Sequence, residues 1–250
     1  MSTYQAVALF AAGLGGGIAG TMASVASVVS YPALLALGLP PVAANVTNTV
    51  SLVFCVPGAV LGGRRELAGQ RSRVLRLGTV TAAGGALGAV LLLLAPPGAF
   101  ALVVPVLIGA AAAGVLLQPR LRALSPRPGA ERSRWRLAAT FGAAVYVGYF
   151  GAAGGVLLLA ALAATFSESL IRLNAIKNVI SGAANLVAAS VFAVYAPVEW
   201  AFVPPLAAGF LVGGYAGQRL ARHLPATALR AVVALAGLAL AVKLGISAYR

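Results

Sequence analysis

The chain has 250 residues, of which 61% are hydrophobic and only 9% charged. Soluble domains carry about 25% charged residues, so this composition excludes a water-soluble globular fold. The net charge of +14 comes from 18 Lys and Arg against 4 Asp and Glu. A basic excess can signal nucleic-acid binding, but here the basic residues sit in short clusters beside membrane-length apolar runs, so no nucleic-acid partner is expected.

The first charged side chain is Arg64. Before it, residues 4–37 are apolar and Gly-rich, broken by Ser24, Ser27, Ser30 and Pro32. The apolar N-terminal stretch has no basic residue ahead of it, which is not the pattern of a signal peptide. Gly38-Leu39-Pro40-Pro41 reads as a turn, because proline restricts itself and its predecessor. A span over 43–61 follows, then a basic loop at 62–76 with Arg64, Arg65, Arg71, Arg73 and Arg76. Spans at 77–94 and 99–117 flank the uncharged turn Pro96-Pro97-Gly98. The stretch 118–136 holds six arginines and three prolines and divides the chain into halves at 1–117 and 137–250.

After it come apolar 137–150, the glycine cluster 151–155 and apolar 156–166. Glu168, Arg172 and Lys177 form the next polar patch, and spans are expected at 179–195, 200–217 and 226–244. Placing every basic loop on the cytoplasmic side leaves the turns at 96–98 and 196–197 outside, with no basic loop stranded. The arms of 137–166 are each about 15 residues, about 22 Å as helix, short of the roughly 30 Å hydrocarbon core. That segment reads as a hairpin broken near mid-membrane, and 4–37 is its counterpart. Each half is then a broken-helix hairpin plus three spans. The expected fold is an all-α polytopic transmembrane helical bundle of two inverted repeats, an architecture that transporters use.

Gly15-Gly16-Gly17-Ile18-Ala19-Gly20 matches a dinucleotide fingerprint, but no acidic residue occurs before Glu66, so close helix packing is the better reading. Gly13/Gly17 and Gly16/Gly20 are small residues at spacing four, and Gly209, Gly213 and Gly217 repeat that spacing. Cys55 is the only cysteine and reads as a small packing residue. There is no Asp, and His223 is the only histidine. Neither a catalytic set nor a metal site can be assembled, and no cofactor is expected.

Polar residues inside apolar runs carry the functional reading. Asn45, Thr47, Asn48, Thr49 and Ser51 open one span, and Asn174, Lys177, Asn178, Ser181 and Asn185 open its counterpart. Many recur at three- and four-residue steps and share a helix face. They could line a polar cavity or hydrogen-bond between helices. Lys177 could snorkel to the interface or attract an anion. A broken helix exposes backbone N–H groups at the start of its second arm, and glycines at 151, 154 and 155 would let an oxyanion approach them. The polar sets contain no acidic residue, as suits an anion pathway rather than a cation pathway.

This pattern resembles the sulfite exporter TauE/SafE family of bacterial membrane permeases. The resemblance rests on SVASVVSYPALLALGLPPVAANVTNTVS, on GYFGAAGGVLLLAALAATFSESLIRLNAIKNVISGAANLVAA and on the basic loop GGRRELAGQRSRVLRLG. Ser24-Val25-Ala26 stands where the family has a glycine triplet. The resemblance implies a multi-pass protein of the bacterial inner membrane, embedded in the lipid bilayer. It implies transport of sulfite, an organosulfonate or a related sulfur-containing anion. Asn45, Thr47, Asn48, Gly151, Gly154, Gly155, Asn174, Lys177, Asn178 and Ser181 are the expected substrate-binding set. A homo-oligomer is possible, and the alternative is a non-transporting membrane subunit of a larger complex.

Overall fold

The computed structural model describes residues 2–96, 98–100, 133–151, 154–163 and 168–223, with isolated positions elsewhere. The expectations for 99–117, the basic linker 118–136 and the span 226–244 fall wholly or largely outside the described residues. The described elements are all helices: α1 (Thr3–Ala23), α2 (Ala26–Ala36), α3 (Pro41–Leu52), α4 (Cys55–Gly62), α5 (Arg64–Leu67), α6 (Arg71–Leu94), α7 (Ser133–Tyr149), α8 (Gly154–Ala163), α9 (Leu170–Tyr195) and α10 (Val203–Leu220). Four segments are long and apolar enough to cross a bilayer: α1, the run Pro41–Gly62, α6 and α9. The fold is a polytopic helical membrane bundle.

The expected span 43–61 is interrupted at Val53 and Phe54, between α3 and α4. Pro57 explains the position. It has no N–H to offer the Val53 carbonyl four residues back, and its ring clashes with that carbonyl. The chain instead tightens there, with Phe54 N bonded to the Ser51 carbonyl and Val56 N to the Val53 carbonyl, both at 3.2 Å.

Glycine registers fix the helix directions. A Cβ on Gly17 would lie 2.8 Å from Gly213 C and Gly214 N, and one on Gly13 would strike the Leu206 carbonyl and Gly209. Positions 13, 17 and 21 thus advance with 209, 213 and 217, so α1 and α10 run parallel in backbone contact. The glycine hexad is a packing surface. Gly84 meets Phe141 and Ala144, and Gly88 meets Val145 and Tyr149, so α6 and α7 are also parallel. α9 joins this pair: Gly85 abuts Ala184, and Thr81 Oγ1 donates to the Ile180 carbonyl at 2.6 Å. α4 runs with α10, Gly58 against Leu211 and Gly62 against Tyr215.

The packing has an exchange pattern. First-half α1 and α4 pack on second-half α10, while second-half α7 and α9 pack on first-half α6. Because these contacts are backbone against backbone, a side chain at their centre must push the paired helices apart. Gly17→Val is expected to lower the melting temperature in detergent by several degrees, since overpacking costs about 1–3 kcal/mol. Gly15→Val is the control, because the nearest atom to its Cβ is a Val29 methyl carbon at 3.5 Å.

The described basic clusters meet at one end. Arg222 pairs with Glu66 through two bonds of 2.8 and 2.9 Å and donates to the Gly62 carbonyl at 2.7 Å. Arg172 reaches the Glu66 and Ala68 carbonyls, and Glu168 accepts from both Arg73 and Arg172 at 3.2 Å. The hydrogen bonds from Arg222 hold the Glu66 carboxyl below its usual range.

Candidate functional site

Both helix breaks use one local device. Ser24 ends α1 with φ 67° and ψ 31°, and Gly151 follows α7 with φ 74°. Among the described residues Ser24 is the one non-glycine at positive φ. A left-handed residue there is uncommon outside glycine and asparagine, and such strain often marks functional places. The turns are closed by Val25 N to the Ala19 carbonyl (3.3 Å) and Gly151 N to the Tyr146 carbonyl (3.1 Å). The serine that stands in for a glycine therefore adopts the glycine-like conformation and adds a hydroxyl.

The breaks meet. A Cβ on Gly155 would lie 2.9 Å from Ser24 Cβ and 3.2 Å from Lys177 Cδ. Between them is a cavity of about 60 Å³ lined by Gly20, Thr21, Ser24, Ala26, Cys55 and Val56 from the first half, and by Gly151, Gly155, Lys177, Asn178, Ser181 and Asn185 from the second. At about 30 Å³ per water, it has room for about two waters, or one small oxyanion. Ala26 and Gly155 belong to the first turns of α2 and α8, so the N-terminal turns of both second arms start at its wall.

The two breaks stand at different points along their neighbouring helices. α1 has 21 residues, about 31 Å of helix, before it breaks. Its Thr21 lies beside Gly217, near the basic end of α10. α7 comes from the basic end, and Gly148 packs on Gly85, roughly 21 Å along α6 from Arg71. Ser24 thus stands nearer the basic end than Gly151 does, and the cavity occupies the interval.

Lys177 is the principal charge here. It is 2% exposed, although it lies only about 10 Å along α9 from Leu170. Its Nζ donates to the Gly20 carbonyl (3.1 Å) and Ser24 Oγ (2.9 Å). It reaches across the bundle to the first break, so it does not snorkel. An ammonium has three donors, and these bonds use two. The described carboxylates lie elsewhere: Glu66 with Arg222, Glu168 with Arg73 and Arg172, and Glu199 at the opposite end.

Of the expected residues, Gly151, Gly155, Lys177, Asn178 and Ser181 come together on the cavity wall. The others lie behind it. Asn45 Nδ2 donates to the Tyr149 carbonyl at 3.0 Å, tying α3 to the end of α7. Asn48 accepts from Ser30 Oγ at 2.6 Å and donates to Ser27 Oγ at 3.1 Å, anchoring α2. Thr47 accepts from Glu199 N at 2.9 Å. Asn174 donates to the Thr21 carbonyl at 2.7 Å, and Gly154 packs on Val147. For the first-half set, interhelical bonding is what the structure places there, because α3 faces α2 and the end of α7.

The expected set omitted Ser24, Thr21, Cys55 and Asn185, which do line the cavity. Asn185 continues the 174–178–181 helix face and was legible from spacing. Cys55 was not, because its exposure to the cavity follows from the Pro57 interruption. Asn178 extends the polar surface inward by donating to Gln218 Oε1 at 2.7 Å, and Gln218 Nε2 has no partner among the described residues.

No solved structure matches this chain. It is 23% identical over 236 residues to a protein of Sinorhizobium sp. described as "Probable membrane transporter protein ORF9", covering 94% of this chain and 90% of that one. A family model, sulfite exporter TauE/SafE, matches residues 8–244. Paired breaks around a buried lysine, a helical membrane bundle and this match across nearly the whole length agree, and the chain belongs to the sulfite exporter TauE/SafE family of membrane transporters.

Proposed function

We propose that this protein moves a small anion across the bacterial inner membrane by alternating access, with sulfite, an organosulfonate or a related sulfur-containing anion as substrate. One observation carries the reading: a buried lysine, with no bonded carboxylate among the described residues, faces a small cavity where two helix breaks meet. A buried charge is expensive unless compensated, and an anion supplies that compensation.

In this reading Lys177 is the attractive charge, with Gly20 and Ser24 holding its amine in place. Asn178 and Ser181 donate to the oxyanion, and Gly151 and Gly155 admit it to the backbone N–H groups of α8. Asn45, Thr47, Asn48, Gly154 and Asn174 act behind them and set the positions of α2, α3, α7 and α9. The two halves, 1–117 and 137–250, are inverted repeats joined by the basic linker 118–136. The opposite directions of α1 and α7, and the exchange of packing between α6 and α10, support that relation. Rocking of one half against the other would open the cavity to each side in turn.

Purified protein in proteoliposomes, without partners, is the test. Sulfite, sulfoacetate, taurine, thiosulfate and sulfate are offered in turn. Saturable flux of at least one anion is expected, with little flux of zwitterionic taurine. No flux of any of the four anions would favour a subunit that needs a partner.

A further inference from the structure

We propose that the hollow between α4, α5 and the end of α10 is a binding site for the headgroup of an anionic phospholipid. The hollow measures about 480 Å³ and is bounded by Leu61, Gly62, Arg64, Arg65, Tyr215, Arg219 and Arg222. It is separate from the central cavity, and its assignment does not depend on the transport reading.

The charges come first. Arg222 is neutralised by Glu66. Arg64, Arg65 and Arg219 have no bonded carboxylate among the described residues, because Glu168 serves Arg73 and Arg172. Three guanidiniums around one hollow repel one another until an anion enters, and guanidinium forks match phosphate oxygens in pairs.

The apolar side identifies the anion as a lipid. Leu61 is 46% exposed and Val212 48%, and with Leu211 and Tyr215 they form an outward apolar strip that runs along α10 to the hollow. In a membrane bundle such a strip meets acyl chains. The Arg219 guanidinium lies 4.6 Å over the Tyr215 ring, so the charged wall begins where the apolar strip stops. The hollow therefore presents a phosphate site and a hydrocarbon surface in the order a phospholipid presents its own parts. Its floor is stiff, because a Cβ on Gly62 would lie 2.8 Å from the Tyr215 carbonyl oxygen.

Native mass spectrometry of the detergent-purified protein tests this, with phosphatidylglycerol, phosphatidylcholine and water-soluble glycerol phosphate as probes. Retention of one phosphatidylglycerol is expected, at least tenfold above phosphatidylcholine, with a matching rise in melting temperature that glycerol phosphate does not reproduce. R64Q/R65Q is expected to cut retention about tenfold, and Arg219→Gln to reduce it independently. R71Q/R76Q, an equal loss of exposed charge on α6, should leave it intact. Equal loss in R71Q/R76Q, full retention in R64Q/R65Q, or equal stabilisation by glycerol phosphate would each overturn the site.

Discussion

Lys177→Met is expected to abolish most sulfite uptake into proteoliposomes while leaving a folded, monodisperse protein. Methionine keeps the length and apolar stem of lysine and removes the ammonium. The stem packs beside Gly155, so the hydrophobic contact survives. What goes is one charge-assisted hydrogen bond to the substrate, worth about 1.5–3 kcal/mol. At 1.4 kcal/mol per decade this is roughly a 10- to 150-fold loss of affinity. Gly20 loses a hydrogen bond to its carbonyl, and Ser24 Oγ loses its donor, so a small drop in melting temperature accompanies the loss. Arg71→Ala, at the exposed start of α6, is the matched control and should transport normally. Undiminished uptake by Lys177→Met would take Lys177 out of the substrate site.

The second large effect is expected at Gly155→Val. The first carbon of that side chain would lie 2.9 Å from Ser24 Cβ, 3.2 Å from Lys177 Cδ and 3.3 Å from Ser24 Oγ. The clash is therefore with the opposite break and the lysine stem, inside the cavity. Valine there would push the two breaks apart and fill the space an anion needs. A loss of transport of tenfold or more is expected, with overpacking of about 1–3 kcal/mol appearing as a lower melting temperature. Gly142→Val separates site from scaffold, because nothing lies within 4 Å of the Cβ it would add. Both variants should insert in the membrane, and only Gly155→Val should stop flux. Equal transport by the two would mean that the breaks do not bound the path.

Much of this was legible in the sequence because a membrane imposes few options. The expected spans 77–94 and 179–195 fall on α6 and α9, and Pro40, Pro41, Ser24 and Gly151 mark where the chain turns or breaks. Glycines at spacing four marked two packing surfaces, though not that α1 and α10 would be each other's partners. Two things were not legible. The first was the interruption of the expected span 43–61 at Val53 and Phe54, which Pro57 imposes inside an otherwise continuous apolar run. The second was allegiance. Asn45 and Asn178 are the same residue type in spans expected to correspond, but one donates to the Tyr149 carbonyl and the other lines the cavity. Only the rotation of each helix decides that, and rotation is set by partners far away in the chain. Lys177 was open for the same reason, since snorkelling and inward reach differ only in what lies across the bundle.

Cys55 offers a direct reading of the cavity, because it is the chain's only cysteine and lies on the cavity wall with Lys177. The native protein can be labelled with methanethiosulfonate reagents of similar size and opposite charge, ethylsulfonate and ethyltrimethylammonium. The rate ratio, divided by the same ratio for a small free thiol, cancels burial and thiol and reagent reactivity and leaves the local potential. The anionic reagent should react at least tenfold faster, and Lys177→Met should erase the preference. If the cationic reagent labels Cys55 as fast or faster in the native protein, the hollow between the breaks is not built for anions.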